Sequence, residues 1–182
     1  MHLRSLFLFS LALLAVLERA VFDWGPNIEL VTTISVVVGM MASTRWRIAA
    51  PLIVMMVTDA FLGVGTITFF TWSGFLFMPW LAAGVSRKIS STLVAGGISG
   101  IVGVGWFFVW TNFGVWLTEG YGMYPNTLAG LLASYVAGLP FVRLQLLSAL
   151  ISVPLVLMLL HALEQGWQII VRPQGLEKLQ KN

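Results

Sequence analysis

The side chains able to do chemistry in this sequence are few, and many of them fall in one stretch, Trp110 to Asn126, read as WTNFGVWLTEGYGMYPN. It leaves an apolar run, ends in a polar turn, and presents Thr111, Asn112, Trp116, Glu119, Tyr121 and Tyr124. An Asn amide has two donors and an acceptor with two lone pairs, which suits it to reading the polar edge of a small ring. The same amide could cap or bridge helices where they meet water. Asp59 is the only acid well inside an apolar run, about eleven residues or ~16 Å into its segment. An unpaired carboxylate at that depth costs at least ~2.5–3.5 kcal/mol, so it must face the bundle interior, paired, protonated or hydrated. It then serves as a solute ligand, cation site or proton relay, or else as a buried acid tying helices together through neighbours such as Thr58.

The eight tryptophans fit the aromatic belts found at both faces of a membrane protein, and Trp46, Trp80 and Trp167 read that way. Trp72 and Trp116 stand beside polar residues and could instead stack on a ligand. Asn27 and Glu29 open one apolar run, while Arg143 and Gln145 open another. Polar groups from several helices converging beneath an apolar lid describe a small-molecule pocket; Arg143 could equally be an interfacial anchor. There is no cysteine, no Gly-flanked serine elbow and no HExxH motif. His161 lacks partners at metal-ligand spacing. Neither enzyme chemistry nor a metal or cofactor is expected.

The elements that must position these residues follow from composition. Hydrophobic residues make up 58% of the 182-residue chain and charged residues 9%, against about 25% charged in soluble domains. The apolar residues come in runs of about 17–25, the length that crosses ~30 Å of hydrocarbon. The net charge of +3 is scattered beside those runs, which reads as a topology signal and excludes a nucleic-acid partner. Spans are expected at about 5–22, 28–44, 48–65, 68–85, 91–117 and 144–163, with a short outer-side helix near 127–141. Residues 1–164 form one integral membrane domain, and 165–182 form a cytoplasmic amphipathic tail. Six spans put Arg4, Arg45, Arg47, Arg87, Lys88, Arg172, Lys178 and Lys181 inside and Arg19 and Arg143 outside, a split of eight to two. A seventh span over 127–141 would give six to four. Both termini are therefore expected in the cytoplasm, and Asn27, Asn112 and Arg143 on the outer face. In the fifth span Ala95, Ser99 and Gly103 recur every fourth residue, as do Gly96 and Gly100. Small residues at that spacing let helix backbones approach closely, so this face is expected to be a helix-packing interface.

Pro26-Asn27, then Pro51-Leu52 with Asp59-x-x-Leu62-Gly63, TNFGVW at 111–116, Tyr124-Pro125 with Thr127-Leu128-x-Gly130-Leu131-Leu132, Tyr135, and Pro140-Phe141 form an ordered series. Over about residues 26 to 160 it resembles an uncharacterised bacterial family described as substrate-binding S components of energy-coupling-factor (ECF) transporters. The resemblance implies an all-α, six-helix S-component-like bundle in the bacterial inner membrane that takes up a vitamin or micronutrient. It also implies a transmembrane coupling subunit and ATPases as partners. The chain departs from that family at Leu144 and Ser148-Ala149, where members carry Asn and a Gly-Asp pair.

The expected function is capture of a small organic solute from the outer face, near Asp59, Asn112, Trp116, Tyr135 and Arg143, with Asn27, Trp72 and Tyr124 nearby. Asp59 would supply charge or a hydrogen bond, Asn112 would read a polar edge, Trp116 would stack, and Arg143 would pair with a solute carboxylate. The rival is a non-transporting accessory subunit of a larger membrane complex, in which the small-residue face and the tryptophans contact protein or lipid.

Overall fold

The computed structural model describes residues 2–22, 24, 25, 27–118 and 122–179, with side chains described among 3–168 of these. Pro26 of the expected first turn, Glu119 and Tyr121 of the polar stretch, and residues 180–182 of the tail lie outside the described residues. The described chain is helical, without a strand: α1 His2–Leu17, α2 Val31–Met41, α3 Thr44–Leu62, α4 Thr68–Ser86, α5 Thr92–Leu117 and α6 Leu128–Leu179. A π-helical turn, Glu18–Phe22, continues α1. Leu11, Ala15 and Glu18 fall on one helical face and all three are buried, so the apolar stripe of α1 delivers a carboxylate inward at its end.

The bundle is built around α2, in which every residue from Val31 to Gly39 is buried and which touches all five other α-helices. Only 11 residues long, α2 covers about 16 Å, roughly half the hydrocarbon thickness. It is shorter than the span expected at 28–44 because Ile28–Leu30 form its lead-in. That lead-in is held by the Leu30 N–H, which donates to the Glu18 carboxylate at 3.1 Å. Close packing on α4 requires Gly39, where a Cβ would lie 2.7 Å from Pro79 Cα and 2.8 Å from Ala82 Cβ.

Helices α5 and α6 run antiparallel along the small-residue face. Ala95, Gly96, Ser99, Gly100 and Gly103 are all buried. Gly96 lies against Val153 and Leu157, Gly100 against Ala149, and Gly103 against Met78 of α4. The face is thus used inside the bundle.

One sequence expectation needs correction. Residues 127–141 do not form a separate short helix, because α6 runs unbroken from Leu128 to Leu179 through Gly138, Pro140 and Pro154, taking in the span expected at 144–163 and continuing into the expected tail. Gly and Pro break helices in water because freed backbone groups find solvent there. In an apolar environment an opened turn would leave those groups unsatisfied, so the helix continues and tolerates each missing N–H. Gly138 is also needed where it is, since its missing side chain makes room for Asn112 of α5.

Among the described residues, four segments are long and apolar enough to cross a membrane: Leu3–Phe22, Thr68–Ser86, Thr92–Leu117 and Leu128–Gln168. Helix α2 is too short, and α3 carries Arg45, Arg47 and Asp59. Large apolar side chains such as Phe9, Ile53, Phe61, Phe69 and Ile151 point outward. A soluble protein rarely shows so continuous an apolar surface, and these helices fit a multi-pass membrane protein.

Candidate functional site

Buried polar side chains gather at one end of the bundle, where α1 ends, α2 and α4 begin, α3 and α5 end, and α6 passes. Arg19, on the π-helical turn, is the hub. Its Nη2 donates to Asp59 Oδ1 at 3.2 Å, its Nε to Thr58 Oγ1 at 3.1 Å, and its Nη1 stands 4.0 Å from Glu29 Oε2. Asp59 is fixed from the other side by the Trp72 indole N–H, 2.7 Å from Oδ2. Thr58 in turn donates to the Val54 carbonyl at 2.9 Å, which sets its hydroxyl oxygen toward Arg19. The π-helical turn, α3 and the lead-in to α2 are therefore joined through one guanidinium, whose planar fork of donors suits it to several acceptors at once.

Glu29 anchors a second group. Its Oε1 accepts from Thr32 Oγ1 at 2.8 Å and from Gln145 Nε2 at 2.9 Å, and its carbonyl accepts from Ser148 Oγ at 3.3 Å. The turn before it passes through Asn27 at φ 60°, a left-handed conformation that Asn adopts more readily than most residues.

Above these groups lies a cavity of about 240 Å³. Its polar wall is Arg19, Asn27, Glu29, Thr71, Thr111, Asn112 and Gln145. Its apolar wall includes Phe75, Phe107, Phe108 and Phe141. The Asn112 amide is held by donating to the Phe108 carbonyl at 2.8 Å, and the Thr111 hydroxyl by donating to the Phe107 carbonyl at 2.8 Å. A wall held this way can bind without first ordering its side chains, which lowers the entropic cost of association. A second cavity of about 430 Å³ lies at the opposite end, beside Met41, Ser91, His161 and the ion pair of Arg4 with Glu164. Arg4 there is 60% exposed and much of the remaining lining is apolar, so it lacks the buried polar wall of the first.

Of the residues expected to bind solute, Asn27 and Asn112 line the smaller cavity, together with Glu29, Thr111 and Gln145, which the sequence showed beside them. Asp59 and Trp72 do not; they bind each other and support Arg19. Trp116 donates to the Pro125 carbonyl at 3.2 Å and packs on Phe113, outside the cavity. Tyr135 donates to the Val109 carbonyl at 3.2 Å, and its ring packs on Phe108 behind the cavity wall. Tyr124 also lies outside the lining. Arg143 is exposed, because Gly138, Phe141, Val142 and Gln145 form the cavity face of α6 and residue 143 projects off it. Arg19, the hub, was read in sequence as an outer topology charge. Its position beside Glu18 at the end of an apolar run, at the same depth as Asp59, is the signal that could have found it. Among the described residues no group of three His, Cys, Asp or Glu side chains could hold a metal ion.

Fold and site together define a helical membrane-type bundle with a half-open cavity of mixed polar and aromatic lining at one end. The chain belongs to DUF6580, a family of unknown function, which it matches over residues 1–170. No curated protein and no solved structure matches it.

Proposed function

We propose that this protein is a membrane solute-binding subunit that captures a small organic solute in the 240 Å³ cavity and delivers it only with partner subunits, in the manner of an ECF S component. The observation that carries this reading is the cavity itself: polar groups from the α1–α2 connection, α4, α5 and α6 converge there around a buried ionic network. Arg19 and its carboxylates hold the walls in place. Asn27, Thr111, Asn112 and Gln145 offer hydrogen bonds, and the phenylalanines cover the apolar part of the solute. Arg4, Arg45, Arg47, Arg87 and Lys88 cluster at the opposite end, against Arg19 and Arg143 near the cavity. The positive-inside rule then turns the cavity toward the outer face. The sequence offers no phosphate-binding loop, so energy would come from coupling and ATPase partners.

A second reading has its own observation. Leu128, Leu132, Val136 and Leu139 form an exposed apolar stripe on α6, as a non-transporting subunit would present to a larger membrane complex. Native mass spectrometry of the protein gently extracted from its own membranes separates the two. Solute capture is expected to leave a small molecule bound to the natural chain and absent from a folded Thr111→Trp variant, whose indole fills the cavity. An empty natural chain held stoichiometrically in an unrelated complex would overturn it.

A further inference from the structure

The groups around the cavity are unequal in charge. Among the described residues, Glu29 and Asp59 are each less than a tenth exposed, Arg19 is the one cation lining the cavity, and the neighbouring Arg143 points away. Asp59 takes the closest guanidinium contact, at 3.2 Å, whereas Glu29 stands at 4.0 Å. Glu29 is also the acid that lines the cavity. The shortfall of positive charge therefore falls on the carboxylate facing the empty space. Buried charge without a counter-charge is costly, and a cation in the cavity would remove that cost.

Building on the capture reading, we infer that the solute is a small organic cation, an ammonium or similarly protonated nitrogen carried on a ring-sized apolar body. Glu29 supplies the counter-charge. Phe107 and Phe108 on α5 and Phe75 on α4 bring aromatic rings to the same cavity, and the faces of such rings attract a desolvated cation. The oxygens of Asn112 and Gln145 are acceptors for its N–H groups. An anionic solute fits poorly, because the Arg19 guanidinium is already shared by two carboxylates and a third would be repelled. A bare metal ion fits poorly too, since the acids do not converge as ligands among the described residues. Size agrees: a cavity of about 150 Å³ accepts benzene, so 240 Å³ holds one ring with a short charged arm.

The test uses the full-length protein in lipid nanodiscs and three probes with the same ring: phenethylammonium, 2-phenylethanol and 3-phenylpropionate. Calorimetry is expected to rank the ammonium at least tenfold tighter than the alcohol, with the carboxylate weakest. Glu29→Gln should bring the ammonium down to the affinity of the alcohol, while Glu164→Gln, which neutralises a carboxylate at the opposite end, should preserve the ranking. If Glu29→Gln does not fold, the ranking on the natural chain decides alone. Tightest binding of phenylpropionate or the alcohol overturns the cation assignment and leaves solute capture standing. Binding of none of the three, with no molecule retained from native membranes, overturns both.

Discussion

Arg19 meets Asp59 at the cavity end with side-chain exposures of 27% and 7%, while Arg4 meets Glu164 at the opposite end with 60% and 24%. The chemical pair is the same in both places, yet the surroundings give it different work. Asp59 is also bonded to Trp72 and Arg19 to Thr58, so the buried pair belongs to a network that fixes the walls of a cavity. The Arg4 pair joins the start of α1 to α6 beside the second cavity, where solvent and headgroups can replace either partner. An ion pair near the surface is worth little because water competes for it. Removing one member of a buried pair strands the other.

That contrast can be broken by mutation. The largest effect is expected for Asp59→Ala, which takes from Arg19 its nearest carboxylate and leaves the Trp72 indole N–H without its acceptor. A loss of about 3–5 kcal/mol in unfolding free energy is expected, measured by denaturant titration in detergent, together with loss of the retained solute. A loss below about 1 kcal/mol would mean that the network does not hold the cavity. The smallest effect is expected for Glu164→Ala, about 0–1 kcal/mol in the same assay and shrinking as salt is added. A larger loss there would erase the distinction between the two ends.

The two ends also differ in how far the sequence disclosed them. Apolar runs and charged junctions located the helices, because burial in hydrocarbon demands both. Asn27 and Asn112 were visible as polar residues where apolar runs end. Arg143 was chosen over Gln145 because charge draws attention, while the helical repeat of Gly138, Phe141 and Gln145 is what selects the cavity face. Arg19 carried a local signal, a charge beside Glu18 at the end of an apolar run, but its partner Asp59 lies 40 residues away and only the folded bundle shows the two together. Continuity of α6 was hidden for a related reason: Gly138 and Pro140 are breakers in water, but against Asn112 in an apolar setting they leave the helix whole.

The most direct measurement of the central claim, an outward-facing cavity that admits a small solute, exploits the absence of cysteine from the natural chain. Thr111→Cys places a thiol in the cavity wall, and Ser91→Cys places one at the opposite end, where α5 begins. A membrane-impermeant maleimide applied to intact cells is expected to label the Thr111→Cys variant, and phenethylammonium to slow that labelling. The Ser91→Cys variant should react only after permeabilisation. Labelling of Ser91→Cys in intact cells, with Thr111→Cys silent until the membrane is opened, would contradict the outward-facing cavity.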